Sequence, residues 1–542
     1  MIIALALLGV TGGYAQSAYD AAKIAQEDLS GTARFVGMGG AMSALGGDIS
    51  TISTNPAGIG IYRSNDVMLT LGYSLTGTEA EFGGNTFEKE RARWNLNNIG
   101  FVIANKFSNV SPLRYVNFGF NYKKSKSFYK NMTMQGMLGS LSQTYEIAAL
   151  SDGLTPDFWE DSRYGNFEHQ DIGWLSALAY NAFLIGPSLT NDPTDYPLLD
   201  NDGNHLSDEN GLLYQDYGYY SSNVADGYHS TYGTFRSRER GGIDEYDFNV
   251  SFNINDRFYL GVTFGAYDVS YDKYTFYDED YGNGAGYFLE SFNRINGSGF
   301  DMKIGTIFRP IEASPLRIGL SVHTPIFYRL TYTTGAYIQS DVYMGDDQST
   351  TGWYVDTYEQ LGNRDMEYDF RLQTPWVFNG SLGYTVGNSL ALGAEYEFEN
   401  YSNMKFKDVD NYDMDPETNE VKYTLKGVHT LRLGAEYKPI STFAFRVGYN
   451  YSSAAYKTDA FKNIFSNSVS TDTEYSNDKS RNTFTVGIGY RGSLFYADLA
   501  YKYDVYKSDF YPFYNNLEGV QMEATKLTNT RSQVLLTLGC RF

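Results

Sequence analysis
The residue types that usually do chemistry are few in this chain and poorly spaced for it. Five histidines (His169, His205, His229, His323, His429) are scattered, and no two stand at the spacing of a metal pair. The single cysteine, Cys540, excludes a disulfide framework and any cysteine-based zinc module. Asp200, Asp202 and Asn204 begin like a calcium loop, but His205 stands where the turn needs Gly and Gly211 where the loop needs Glu. The run Gly37-Met38-Gly39-Gly40-Ala41-Met42 lacks both the Gly-Lys-Ser/Thr of a phosphate loop and the third glycine of a dinucleotide fold. No Ser-His-Asp set is identifiable by spacing, so neither catalysis nor a cofactor is expected. What remains is recognition. Lys303, Arg432 and Arg446 are the cations that could donate charge-assisted hydrogen bonds to a ligand carboxylate, although such residues more often pair with carboxylates of the wall around them.

Whether those three side chains face a common interior depends on the elements that carry them. Period-two alternation recurs along the chain: Tyr246, Phe248, Val250, Phe252 and Ile254 against Asp247, Asn249, Ser251 and Asn253; Leu390, Leu392, Ala394, Tyr396 and Phe398 against Ala391, Gly393, Glu395, Glu397 and Glu399. A helix would scatter the three glutamates, whereas a strand puts them on one face. Fourteen strands are expected, beginning near Val67, Asn97, Leu113, Ile243, Phe258, Gly299, Leu316, Arg371, Ser389, Val428, Phe443, Asn482, Leu494 and Arg531. Short turns, such as Asn255-Asp256-Arg257 and Gly387-Asn388, alternate with long polar loops, about 77–94, 131–241, 278–293, 341–367, 403–426, 457–480 and 508–528. That alternation predicts an all-β antiparallel transmembrane barrel, whose even strand number leaves no edge in hydrocarbon. By strand parity Lys303, Arg432 and Arg446 point inward.

Composition supports this reading. The 542 residues include 49 Tyr, 35 Phe and 55 Gly, too aromatic for a disordered chain. The net charge of −22 argues against a nucleic-acid partner. No apolar run approaches the length of a spanning helix. Residues 1–15 read as a truncated signal peptide without a charged start, with Gly13 and Ala15 at a cleavage site before Gln16. Residues 16–64 do not alternate and are rich in small side chains, which suits a compact plug inside the lumen. Residues 65–542 then form the barrel, with an outer insert at 131–241. The last strand ends on Phe542, like the terminal signal of barrels inserted into an outer membrane.

Several stretches together resemble one family. Gly-Gly-Ala at 39–41, followed by Asp48, Ser50 and Asn55-Pro56-Ala57-Gly58, is similar to the amino-terminal hatch of the FadL family of outer-membrane transporters. The resemblance resumes at Ser381-Leu382-Gly383-Tyr384 and Ala391 to Tyr396, then at Leu431 to Tyr437, Arg446 to Tyr449 and Thr483 to Tyr503. It implies a fourteen-stranded barrel with an N-terminal plug of short helices. The implied function is passive uptake of long-chain fatty acids or similar hydrophobic compounds across a Gram-negative outer membrane. In that family a kinked third strand opens the wall sideways. Here the third strand holds one glycine, Gly119, as the candidate weak point. Asn55, Pro56, Ala57 and Gly58 carry over as the motif that holds the plug. Phe158, Trp159, Trp174 and Phe183, in the long insert, could form a ligand-collecting groove or the insert's own core. The expected partners are a hydrophobic small molecule and outer-membrane lipid, and a monomer is the default. The competing readings are a general hydrophilic porin and a surface adhesin acting through the insert.

Overall fold
The computed structural model describes residues 16–107, 111–154, 159, 167, 171–190, 196–197, 205–208, 211–221, 231–282, 284–343, 350–515 and 520–542. The signal-peptide reading, Phe158 and the calcium-like stretch at 200–204 lie outside the described residues.

Fourteen antiparallel strands pair in chain order and close on themselves. They are β1 (Asp66–Phe82), β2 (Asn85–Lys106), β3 in two runs (Leu113–Ser127 and Lys130–Gly139), β4 (Thr231–Ile254), β5 (Phe258–Asp280) and β6 (Gly286–Phe308). β7 (Arg317–His323 and Phe327–Tyr343), β8 (Met366–Gln373 and Val377–Val386) and β9 (Leu390–Asn400) follow. β10 (Gly427–Ile440), β11 (Phe443–Ser452), β12 (Tyr475–Arg491), β13 (Phe495–Tyr511) and β14 (Thr525–Arg541) complete the wall. Closure runs from Asp66↔Arg541 to Glu81↔Lys526.

The outer face near the short turns is a continuous apolar band, with Val67, Leu69, Leu71, Phe101, Phe248, Phe264, Phe300, Leu382, Leu433, Val447, Val486 and Leu536 all exposed. A closed sheet wearing such a band is a transmembrane barrel, because only closure satisfies every backbone group in hydrocarbon. The band ends at an aromatic girdle that includes Tyr73 against Trp94, rings 5.0 Å apart, and Tyr122 against Tyr246 at 5.4 Å.

Beyond the girdle the strands run on, and here the expected loops need correction. Residues 77–94 continue the β1–β2 hairpin to a tight turn at Gly83-Gly84. Residues 278–293 likewise extend β5 and β6. The insert shrinks from both sides, since β3 reaches Gly139 and β4 begins at Thr231. Above the lipid both faces of a strand are wet, so the apolar alternation that marks a spanning strand fades while the ladder persists.

The lumen is filled from Gln16 onward. α1 (Ala18–Ala25) starts at Ser17, whose side chain and that of Asp20 form a reciprocal cap. α2 (Ala33–Gly37) is capped by Thr32. Two single-turn helices follow, Ile49–Ser53 capped by Asp48 and Pro56–Ile61 capped by Asn55. Nearly all of this segment is buried against the wall.

Candidate functional site
The plug is seated on bare backbone. Gly383, Gly393, Gly434 and Gly448 stand directly opposite one another on the four adjacent strands β8, β9, β10 and β11. A Cβ at Gly393, Gly434 or Gly448 would come within 3.0 Å of the backbone of Ala41, Met38 or Gly39. Gly261 and Gly305 face each other on β5 and β6, and a Cβ on either would strike the Asn55-Pro56 turn. This is the place of the hatch motif. Asn55 Oδ1 accepts from Ala57 N at 3.2 Å and its Nδ2 donates to Thr306 O at 3.1 Å, so one side chain shapes the turn and ties it to β6. Pro56 O accepts from Ser251 Oγ at 2.7 Å.

Ion pairs hold the same seat. Arg34 of α2 and Arg446 of β11 share Glu436, with Nε–Oε2 distances of 2.9 and 2.7 Å. Arg446 also meets Asp498 at 2.8 Å. Arg432 is clasped by Glu395 and Glu397, both at 2.6 Å. Lys303 sits between Glu245 at 2.5 Å and Asp247 at 2.9 Å. The three cations singled out from parity do point inward. Each is engaged by two carboxylates of the wall, so a ligand carboxylate would have to displace one of them.

The large cavity lies farther toward the long-loop end and touches none of the three. Its void, counted together with the solvent that opens into it, is about 1650 Å³ between α1, the wall and an inward-folded loop. Aromatic rings form much of its lining, among them Tyr19, Phe128, Phe235, Tyr332, Tyr456 and Phe510, interleaved with Lys23, Lys126, Lys130, Arg481 and Arg531. Lys23 donates to Glu239 at 2.8 Å and to Tyr271 Oη at 2.7 Å. Much of 457–480, expected to be an outer loop, descends into the lumen instead, with Ser470, Thr471, Asp472 and Thr473 buried. Lys273 pairs with Asp472 at 2.9 Å, and Ser291 Oγ lies 2.7 Å from Thr471 Oγ1.

The insert roofs this loop. α3 (Gln143–Ser151) and α4 (Trp174–Asn181) pack over it, with Gln143 Nε2 donating to Thr473 Oγ1 at 2.7 Å and Trp174 N to Ser468 O at 2.8 Å. Trp174 is fully buried and its indole N–H donates to Phe167 O at 3.0 Å. Trp159 stacks flat on Tyr180, centroids 4.1 Å apart. Phe183 is exposed and lies 4.4 Å from Trp353. Of the described groove candidates, Trp174 thus packs in the insert's core, whereas Phe183 presents an aromatic surface outward. Burial pushes Glu146, on α3, up to about 8, against a hydrogen bond from Tyr514 N that favours its anion.

The wall has one interruption beside the cavity. β2 pairs with β3 only from Asn98↔Lys123 to Lys106↔Tyr115. Above that point β2 is hydrogen-bonded only to β1, and the second run of β3 only to β4, so the ladder between β2 and β3 is interrupted, although this run still packs against β1 and β2, with Gly136 under the Phe82 ring. Gly119 is not its origin: the ladder is unbroken there, with Val102 on one side and Asn249 on the other. A Cβ at Gly119 would meet Ile52 and Ile59 of the plug at ordinary contact distances, so the plug tolerates a small side chain there. The break falls at Phe128-Tyr129. Arg93 and Arg91 of β2 reach across the break to the Tyr129 ring, at 3.7 and 5.0 Å from its centroid.

The plug completes the strand edge that β2 abandons. Asp28 N donates to Ser125 O at 3.0 Å, Ser127 N donates to Asp28 Oδ2 at 3.1 Å, and Lys126 Nζ donates to Gln26 Oε1 at 2.9 Å. Asp28 is in turn fixed by Arg531 at 2.6 Å and Arg481 at 3.1 Å. Strand parity alone could not find these residues, because Lys126 faces inward only after a bulge between Lys124 and Lys126. Arg481 lies in the part of β12 that runs on beyond the lipid.

No family model matches the chain, and no curated protein sequence does. Among solved structures, a Pseudomonas aeruginosa FadL homologue aligns over 95% of this chain and 99% of its own, at 12% identity and a TM-score of 0.49. The Pseudomonas putida toluene transporter TodX aligns over 96% and 100%, at 9% identity and 0.46. The CymD monoaromatic hydrocarbon channel aligns over 95% and 98%, at 9% identity and 0.44.

Proposed function
We propose that this chain is a FadL-type outer-membrane transporter that takes up hydrophobic compounds passively, holds them in the lumenal cavity and releases them sideways through the break between β2 and β3. One observation carries the reading: Ser127, Phe128, Tyr129 and Lys130 line the cavity and also form the break in β3. The cavity therefore reaches the break in β3, whose Tyr129 ring lies under Arg91 and Arg93 of β2.

The physical logic favours a lateral path. Each CH₂ kept out of water is worth about 0.8 kcal/mol, so an exit toward lipid retains what a watery exit would forfeit. The lining also suggests a ligand type. The rings suit an apolar body better than a neutral sugar, while the lining lysines and arginines are largely paired with lining carboxylates such as Asp28, Glu239 and Asp472, so an acidic head would have to compete for them. Phe183, exposed on the roof against the partly buried Trp353, offers a first landing surface. A general porin is disfavoured by the plug, which fills the lumen down to the short turns.

The test places a photo-reactive phenylalanine at position 129 in the purified, reconstituted protein. A radiolabelled long-chain fatty acid is expected to cross-link there and to be displaced by excess unlabelled acid. Cross-linking no greater than at a lipid-facing control such as position 382 would refute the lateral path. Rapid liposome swelling in arabinose by the intact protein would favour the porin.

A further inference from the structure
We infer that the outer wall carries a docking site for the anionic headgroup of outer-leaflet lipopolysaccharide, built by Arg236, Arg238 and Arg240 of β4. The argument begins with parity. Phe235, Ser237 and Glu239 line the lumenal cavity, so the alternate residues face outward, and all three arginines are exposed. In a chain of net charge −22, a row of three cations on one strand face is not what composition alone would produce.

The row has no ion-pair partner among the described residues. Opposite it on β3 stand Thr133 and Asn131, which are neutral. Opposite it on β5 stand Phe276, Tyr274 and Asp272. Asp272 is taken by Arg294 at 2.8 Å. The rings flank the cations, with Arg236 5.6 Å from the Phe276 centroid and Arg238 5.5 Å from that of Tyr274. The Arg236 and Arg238 guanidinium groups are thus supported on aromatic faces, and the Asp278 carboxyl, two residues along β5 from Phe276, feels the charge of Arg236 without forming an ion pair with it.

Depth selects the occupant. Tyr246, on the same strand face, belongs to the aromatic girdle that marks the edge of the lipid tails. At about 3.3 Å per residue on a strand tilted roughly 40°, Arg240 stands about 15 Å above Tyr246 and Arg236 about 25 Å. That is the zone of phosphates and acidic sugars in an outer leaflet, not of acyl chains. First and last arginine are about 13 Å apart along the strand, a span that suits several anionic groups on one oligosaccharide. Bidentate arginine–phosphate bonds supply the recognition.

The inference rests on the outer-membrane reading, and its test reads lipid retention, not transport. The purified barrel in mild detergent is titrated by native mass spectrometry with deep-rough lipopolysaccharide, with a neutral galactolipid as comparator. The variant is Arg236→Gln/Arg238→Gln/Arg240→Gln, and heat-modifiable gel mobility confirms that it is folded. The wild type is expected to retain lipopolysaccharide at least about tenfold more strongly than the variant, and both are expected to hold the galactolipid equally weakly. Retention within twofold between the two proteins would overturn the inference. So would equal retention of the galactolipid by the wild type, or release of bound lipopolysaccharide by a few millimolar inorganic phosphate, which would make the row a site for free anions. A barrel that transports hydrophobic compounds yet fails this test would overturn the docking site alone.

Discussion

Gly448→Ala is the sharpest single perturbation of the plug. The new methyl would fall under 3.0 Å from Gly39 N and from the backbone carbon of Met38, and neither can swing aside as a side chain would. The neighbours at Gly434 and Gly393 are filled in the same way by Met38 and Ala41, so the plug cannot slide along the wall to relieve the clash. Inserting a methyl into a filled site costs about 1–3 kcal/mol. Because the clash exists only while the plug is seated, that energy shifts the equilibrium between seated and unseated plug by roughly 5- to 150-fold. In planar bilayers the variant is expected to spend that much more time in large conductance states than the wild type. Gly380→Ala is the control, since a Cβ there meets only Leu320 Cδ2 at 3.9 Å on the lipid side. If Gly448→Ala, folded and inserted, conducts no more than Gly380→Ala, then the glycine row is not what seats the plug.

Three further outcomes follow from individual contacts. Asp28→Asn removes the charge between Arg481 and Arg531, and breaking such a pair costs about 3–5 kcal/mol; hydrogen exchange at Ser127 and along 26–30 should accelerate, while α3 and α4 should not change. Glu420, on the loop helix α5 (Asp415–Thr424), accepts from Ala18 N at 3.0 Å, and burial pushes it up to about 7 from an ordinary 4.5, with that hydrogen bond opposing. Between those values the folded state binds more protons than the unfolded one. The stabilising difference is thus complete at acid pH and lost as pH rises through 7, so α1 should exchange faster at pH 8.5 than at pH 6 after correction for intrinsic rates, and Glu420→Gln should abolish the difference. Trp174→Ala should cost about 3–5 kcal/mol of local stability and expose the insert to limited proteolysis, with no change in barrel mobility on gels.

The barrel was readable because lipid writes a period of two into each strand. The turn-side beginnings near Leu113, Phe258, Leu316, Ser389, Phe443 and Leu494 fall within one residue of the ladders observed. The far ends were not readable, because outside the membrane a strand needs no apolar face to be a strand. The plug showed itself in its small residues and in Asn55-Pro56. Its seat did not, since the Gly383–Gly393–Gly434–Gly448 row exists only once four strands are set in register. Lys303, Arg432 and Arg446 were placed inward correctly, but the sequence could not show that Glu245, Glu395 and Glu436 already hold them. The inward descent of much of 457–480 left no pattern, because a polar segment buried by polar partners looks in sequence like one in water.

The break and the plug are a single device, and the reason is the backbone of β3. Where β2 departs, the N–H of Ser127 and the carbonyl of Ser125 lose their strand partner, and leaving either buried and unpaired costs about 1–3 kcal/mol. Asp28 meets both, through its side chain and its own N–H. The break is therefore stable only while residues 26–28 of the plug lie against it. Movement of the plug frees those groups, and β3 can then satisfy them by recruiting β2 and closing the break, or by admitting water and widening it. The Arg91–Tyr129–Arg93 stack opposes the second course and the long outer reach of β2 permits the first. A ligand entering beside Tyr19 and Lys23 on α1 presses on the same short segment that ends at Asp28. On the proposed path, occupancy of the cavity would therefore bear on the wall both through this segment and directly, since Asp28, Ser127, Phe128 and Tyr129 line the cavity.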